Sequence, residues 1–130
     1  MEYKYRSYAK INSYLNVMSK LDNGYHEILT HFQIIDLYDE VLFKESDVLL
    51  IDSNEKTIKD NNSITKTIKW FNEKYGVNQK FEAKIKKSIP IGAGLGGGSS
   101  NAAIALRFLA EFHNIQIKDI DNTEIALALG

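Results

Sequence analysis

The stretch Pro90-Ile91-Gly92-Ala93-Gly94-Leu95-Gly96-Gly97-Gly98-Ser99-Ser100-Asn101 decides how the rest of this chain is interpreted, because it holds five of the eight glycines. It lies between an alternating segment, Phe81 to Ile89, and an apolar segment, Ala102 to Phe112, so we predict a strand, a glycine loop and a helix. Glycine accepts positive φ, and a helix start presents unpaired N–H groups and the positive end of its dipole. The stretch therefore predicts an anion site, with phosphate as the expected ligand.

Other interpretations of the loop fit less well. Flexible linkers of Gly and Ser rarely lie between two well-patterned elements. A G-x-G-x-x-G spacing begins at Gly92, but the strand before it carries lysines within 84–87 in place of the apolar run of a buried parallel strand, which argues against a dinucleotide fold. A Walker loop ends in Gly-Lys-Ser/Thr, and here no lysine follows the glycines until Lys118.

Composition predicts one ordinary globular domain. The chain has 130 residues, of which 44% are hydrophobic and 25% charged. Sixteen basic and seventeen acidic residues give a net charge of −1, so no overall field favours nucleic acid or an anionic membrane, and we expect neither as a partner. Any anion binding must come from local groups.

The chain contains no cysteine, which excludes disulfides, thiolate metal sites and cysteine nucleophiles. The N-terminus lacks the apolar core of a signal peptide, and no stretch approaches the ~20 apolar residues of a membrane span. We therefore expect a cytoplasmic protein, with no metal site built from its own side chains.

The first half of the chain predicts strands. Alternation from Ala9 to Val17 predicts a half-buried strand with Lys10 and Asn12 on its polar face. Asp22-Asn23-Gly24 predicts a hairpin turn, after which Ile28 to Ile34 form the return strand.

A turn is predicted at Asp36 to Glu40, followed by a third strand at Val41 to Phe43 and a fourth at Val48 to Ile51. The polar residues from Asp52 to Asn62 are interpreted as a loop.

Two further helices are predicted. The first runs from Ser63 to Tyr75, with Asn62 or Ser63 as its N-cap and Gly76 after its last turn. A last helix is predicted at Thr123 to Leu129.

Three separated motifs resemble those of the GHMP kinase superfamily: Ala9-Lys10-Ile11-Asn12, Asp22-Asn23-Gly24-Tyr25-His26, and Pro90 to Ala103. The Gly-Tyr-His motif is similar to that of the subfamily that phosphorylates a cytidine diphosphate conjugate of methylerythritol, in the non-mevalonate route to isoprenoid precursors. The resemblance implies an α/β (α+β) fold of the ribosomal protein S5 domain 2-like type. It also implies ATP as co-substrate, with Mg²⁺.

The resemblance also implies residue roles. Lys10 matches the active-site lysine, and such a cation suits phosphoryl transfer, which depends on positioning and on charge stabilisation. Asn12 matches a contact to the methylerythritol hydroxyls, and Tyr25 and His26 match the cytidine site. The implied ATP-binding residues are Pro90, Ile91, Gly92, Ala93, Gly94, Leu95, Gly96, Gly97, Gly98, Ser99, Ser100, Asn101 and Ala102, together with Asn62 and Lys87 near the adenine.

The resemblance covers essentially the whole chain but only the N-terminal domain of such kinases. In the superfamily the catalytic aspartate follows a Leu-Gly-Ala-Asp segment, and this sequence ends on Leu129-Gly130. We therefore expect a fragment, residues 1–130, that lacks the general base and the C-terminal domain and has little activity alone. Exposed edges and apolar surface would then favour self-association. Two alternatives stay open: another GHMP kinase, such as one acting on mevalonate or homoserine, and a non-catalytic nucleotide-binding module.

Overall fold

The computed structural model describes residues 1–55, 62–92 and 94–116. Its elements in chain order are β1 (Glu2–Lys20), β2 (His26–Ser46), β3 (Leu50–Ser53), α1 (Ser63–Tyr75), β4 (Lys80–Lys86) and α2 (Gly97–Phe112). The four strands form one sheet in the order β1-β2-β4-β3. β1–β2 and β2–β4 are antiparallel, whereas β3–β4 is parallel, so β3, α1 and β4 form a βαβ unit. The predicted α/β class is confirmed.

An aromatic core fixes α2 on the sheet. Phe108 of α2 stacks on Phe43 of β2, with ring centroids 4.3 Å apart, and meets Phe81 of β4 edge-on at 4.9 Å. All three rings are fully buried, and such pairs add specific geometry to the hydrophobic burial. Because these contacts fix α2 on the sheet, its N-terminus occupies a defined place beside β1.

The predicted α1 is confirmed at both ends. Asn62 is the N-cap, and its Oδ1 accepts hydrogen bonds from the N–H groups of Ile64 (2.9 Å) and Thr65 (3.0 Å). Gly76 closes the helix in the left-handed region at φ 63°, where its N–H bonds to the carbonyl of Asn72. The local sequence signals therefore mark both ends of this helix.

The predicted turn at Asp36 to Glu40 is wrong, as is the separate strand at Val41 to Phe43, since both stretches belong to β2. The pairing changes from Tyr8↔Tyr38 to Lys10↔Ile34, two steps along β1 against four along β2. The extra polar residues are thus accommodated by a bulge, which bends and twists a strand without ending it.

Other boundaries also differ from the predictions. β1 covers Glu2–Lys20 and so extends beyond the strand predicted from Ala9 to Val17. β3 begins at Leu50 in place of Val48 and ends at Ser53, inside the loop predicted from Asp52, and β4 ends at Lys86 in place of Ile89. α2 begins at Gly97 in place of Ala102, so the end of the glycine stretch forms the first helical turn. Glycine lowers helix propensity by about 1 kcal/mol, and here the packed apolar turns further along the helix outweigh that penalty. The helix predicted at 123–129 lies outside the described residues.

The β1–β2 hairpin extends past the helices. Ala9 is fully buried, but Ile11, Val17 and Phe32 are 41%, 58% and 63% exposed, so the half-buried strand expected from 9 to 17 is confirmed only at its start. Alternation predicts which side chains share a face, but burial requires a packing partner for that face. None of the helices in the described ranges is long and apolar enough to cross a bilayer.

Candidate functional site

Lys10 lies against the glycine loop. Its backbone N–H donates to the carbonyl of Leu95 at 2.9 Å, on the side of β1 that faces away from β2. Its ammonium donates to Oδ1 of Asn12 at 2.7 Å and to the carbonyl of Gly94, 84 positions further along the chain, at 3.2 Å. The structure thus brings the loop together with a lysine and an amide of β1 that were predicted to share a face.

The loop needs glycine for its backbone. Gly92, Gly94 and Gly96 have φ values of 72°, 73° and 71°, in the left-handed region that other residues rarely adopt. At Gly96 a Cβ would also lie 2.9 Å from Cε of Lys10, so the lysine side chain runs directly over this residue.

The N-terminus of α2 is open. Its N-cap is Gly96, which has no side chain to cap the helix, whereas Asn62 caps α1. The first intrahelical bond is from the N–H of Ser100 to the carbonyl of Gly96, at 2.9 Å. The N–H groups at 97–99 precede that bond and lie at the positive end of the helix dipole, with the Lys10 ammonium nearby. This arrangement suits a polyanion such as a triphosphate.

Ser7 ties the start of α2 to β1. Its fully buried hydroxyl lies 2.7 Å from Oδ1 of Asn101 and 2.9 Å from Oγ of Ser100. A hydroxyl donates one hydrogen and accepts others, so Ser7 donates to Asn101 and can accept from Ser100. Ser7 was missed at the sequence level, although it occupies the inward position between Tyr5 and Ala9 in the alternation of β1.

Asp39 holds the other end of the loop and was also missed. Its fully buried carboxylate accepts hydrogen bonds from the N–H groups of Ser88 (2.7 Å) and Ile89 (2.9 Å) and from the ammonium of Lys87 (2.5 Å). Asp39 lies two positions before the apolar Val41 and so shares a strand face with it, which was a signal for a buried carboxylate. The neighbouring polar residues made the segment resemble a turn.

Two residues predicted near the adenine have structural partners. Asn62 uses its Oδ1 to cap α1, and Lys87 directs its ammonium to Asp39. The Lys87 side chain is 8% exposed. Pro90, Ile91 and Ser99 are exposed at the surface of the loop, Ala102 is half-buried, and Ala93 lies outside the described residues.

Tyr25 and His26 lie at the far end of the hairpin. Lys10 pairs with Ile34, whereas His26 pairs with Lys20. Ten residues of β1 therefore separate the hairpin end from Lys10, a span of roughly 30 Å in a straight strand. Three register shifts interrupt the β1–β2 pairing, and such irregularities bend a hairpin.

Within the described ranges, no cluster of three or more His, Asp or Glu side chains could hold a metal ion. The charged groups beside the loop are the ammonium groups of Lys10 and Lys87, which do not coordinate a cation. The residues present therefore fit a phosphate chain, and a Mg²⁺ ion only as part of a nucleotide complex.

A sheet with an open helix start, a glycine loop and an adjacent lysine defines an α/β domain suited to nucleotide phosphates. Residues 62–130 match the model of the family described as GHMP kinases N terminal domain, and this chain belongs to that family.

Curated relatives narrow the comparison to one kind of GHMP kinase. The chain is 40% identical over 127 residues to the 4-diphosphocytidyl-2-C-methyl-D-erythritol kinase of Thermodesulfovibrio yellowstonii, covering 96% of this chain and 44% of the relative. It is 44% identical over 118 residues to the enzyme of the same name from Pseudothermotoga lettingae, covering 88% and 42%. The chain thus spans a little under half the length of these relatives.

Solved structures agree. A 4-(cytidine 5'-diphospho)-2C-methyl-D-erythritol kinase superposes with a TM-score of 0.76 at 28% identity, over 98% of this chain and 46% of that one. The mevalonate kinase of Methanococcus jannaschii, at 20% identity and a TM-score of 0.60 over 99% and 45%, shares the fold.

Proposed function

We propose that this chain provides the ATP site, and part of the acceptor site, of a kinase that phosphorylates a hydroxyl of 4-diphosphocytidyl-2-C-methyl-D-erythritol, a step in isoprenoid precursor synthesis. The proposal is supported by the names of relatives about 40% identical over nearly all of this chain. The observation that carries it is the contact of Lys10 with the glycine loop and with Asn12.

In this proposal the loop binds the phosphates of ATP through its backbone N–H groups. The Lys10 ammonium stabilises charge on the transferred phosphoryl group, because such transfer is accelerated mainly by positioning and electrostatics. The ammonium now bonds to the carbonyl of Gly94, at 3.2 Å, and this weak contact is readily exchanged for a phosphate oxygen. We assign no general base within the described residues.

Asn12 is proposed to orient the acceptor. Its Oδ1 bonds to Lys10 at 2.7 Å, which leaves the amide N–H groups for a hydroxyl of the methylerythritol part. Tyr25 and His26 are proposed to bind the cytidine by stacking and hydrogen bonding. That role requires the hairpin to curve toward the loop, which its register shifts permit.

The proposal also covers the metal ion, the cellular location and the self-association of this chain. Mg²⁺ is proposed to enter bound to the phosphates of ATP and to neutralise their charge, and the site is proposed to work in the cytoplasm. The exposed apolar residues of the hairpin, including Phe32 at 63% and Ile34 at 60%, are proposed to favour self-association at high protein concentration. Sedimentation velocity over a range of concentrations tests this last point, and a monomer throughout would contradict it.

Calorimetric titration with Mg·ATP tests the nucleotide site. We expect Lys10→Met to weaken ATP binding by roughly ten- to a hundredfold, as for loss of a charge-assisted hydrogen bond. The matched control is Lys4→Met, since Lys4 lies on the same strand and forms an exposed ion pair with Glu40, at 3.7 Å. Wild-type protein that binds no ATP, or equal losses in the two variants, would contradict the proposal.

Competition separates the acceptor classes. A labelled cytidine diphosphate conjugate of methylerythritol should be displaced by CMP or CTP but not by mevalonate or homoserine. Displacement by mevalonate or homoserine would favour another GHMP kinase. Binding of ATP without any binding of the conjugate would favour a non-catalytic nucleotide module.

A further inference from the structure

Asp39 lies where the pairing of β2 with β4 stops. The last pair of that ladder is Glu40↔Lys86. One residue further on, the chain leaves the sheet, and the carboxylate of Asp39 accepts the N–H groups of Ser88 and Ile89 at 2.7 and 2.9 Å. A side chain thus replaces the strand as hydrogen-bond partner and directs the segment that enters the glycine loop.

The same carboxylate forms a buried ion pair with Lys87. The Lys87 side chain is 8% exposed and that of Asp39 is fully buried. A buried carboxylate is strongly destabilising unless it is paired and hydrogen-bonded, and here three charge-assisted or backbone bonds satisfy it. Asp39 therefore forms a hydrogen bond with each of the three successive residues 87–89.

The ion pair also contacts the far end of the loop. A Cβ built on Gly97, the first residue of α2, would lie 2.9 Å from the Lys87 ammonium and 3.1 Å from Cγ2 of Ile89. The helix start therefore packs directly on Lys87 and Ile89. Through these contacts Asp39 and Lys87 hold both the entry and the exit of the loop 90–96.

We propose that Asp39 and Lys87 are positioning residues that fix the two ends of the glycine loop relative to each other and thereby set its affinity for a triphosphate, without touching the nucleotide. This inference rests on the proposed function, in which that loop binds ATP. It gives Lys87 a role other than the adenine contact that the family resemblance implied.

For one substitution, charge alone and positioning predict opposite changes in the affinity for an anion. Asp39→Asn removes a negative charge beside the helix start and leaves the Lys87 cation, which by itself would strengthen anion binding. Positioning predicts weaker binding, because Asn has one acceptor oxygen where Asp has two. If that oxygen keeps the N–H groups of Ser88 and Ile89, the NH₂ group faces the Lys87 ammonium and cannot hold it against Gly97. The direction of the change therefore separates the two roles.

The test titrates Mg·ATP, and separately inorganic tripolyphosphate, into wild type, Asp39→Asn and Lys87→Met. We expect both ligands to bind each variant roughly tenfold more weakly or worse, as when outer partners of ligand-binding groups are removed elsewhere. Glu40→Gln is the matched control, because Glu40 is the next residue of β2, faces the other side of the sheet and pairs with the exposed Lys4. It should bind like wild type.

A merely structural role would lower the fraction of binding-competent protein and leave the dissociation constant unchanged. Asp39→Asn protein that binds as tightly as wild type, or more tightly, would overturn the inference. If that variant does not fold, the Asp39→Asn/Lys87→Met double variant is tested in its place, since it removes both charges together and leaves neither of them buried and unpaired. Wild-type affinity in the double variant would equally overturn the inference. Wild-type protein that binds neither ligand would instead overturn the proposed function.

Discussion

Ser7 of β1 donates a 2.7 Å hydrogen bond to Oδ1 of Asn101 in the first turns of α2, and both residues are buried. Replacing Ser7 by Ala leaves a buried amide oxygen without its donor, which costs about 1–3 kcal/mol in the free energy of unfolding. Urea denaturation measures this loss. Ser13→Ala is the control, because Ser13 lies on the same strand and its hydroxyl makes an exposed 3.4 Å contact to the carbonyl of His31. Equal stabilities of the two variants would contradict the assignment.

Gly96 is predicted to be intolerant of any side chain, for two separable reasons. Its φ of 71° costs an alanine about 1–2 kcal/mol, and the added Cβ would meet Cε of Lys10 at 2.9 Å. Gly76→Ala shares the first cost, with φ 63°, but nothing lies within 4 Å of its Cβ. We expect both variants to lose stability by similar amounts in denaturation experiments, and only Gly96→Ala to lose ATP affinity in titrations. A comparable loss of affinity in Gly76→Ala would show that strain alone accounts for the effect.

Asn62 allows capping to be separated from nucleotide contact. Asn62→Ala removes the acceptor of two helix N–H groups and should destabilise the protein by ~1 kcal/mol, measured by thermal or urea unfolding. Asn62→Asp keeps a cap of similar strength and should unfold like wild type. If Asn62→Asp nevertheless binds ATP more weakly, the side chain also contacts the nucleotide. An Asn62→Ala variant as stable as wild type would refute the capping role.

Local patterns predicted much of this molecule. The cap at Asn62, the left-handed Gly76 and the shared face of Lys10 and Asn12 all depend on residues within a few positions of each other, and all three are confirmed. The errors arose where the partner is remote. Asp39 resembled a turn residue because its partner Lys87 is 48 positions away.

The start of α2 shows the same limit. Five residues with poor helix propensity precede Ala102, and only the packing of Phe108 and the bond from Ser7 to Asn101 show that the helix already begins at Gly97. Neither contact is visible in the local sequence. The local sequence also does not predict the position of Tyr25 and His26 relative to Lys10, because that position depends on how a long hairpin bends.

His113 is predicted to make stability depend on pH. It packs against Phe71 and Phe112, with ring centroids 5.5 and 5.0 Å apart, and its Nε2 is buried with no hydrogen-bond partner among the described residues. Desolvation lowers the pKa of this imidazole below its ordinary value near 6.5.

The unfolded chain therefore takes up a proton at a pH where the folded chain does not. The free energy of unfolding should be highest above pH 6.5 and fall as the pH decreases through that value, levelling off only below the lowered pKa.

Urea denaturation between about pH 5 and pH 8 measures the effect, since an unperturbed histidine changes charge within that range. His113→Phe keeps an aromatic ring in the site and removes the titrating group, so its stability should fall less on acidification than that of wild type. An identical slope in wild type and His113→Phe would show that other groups cause the acid sensitivity.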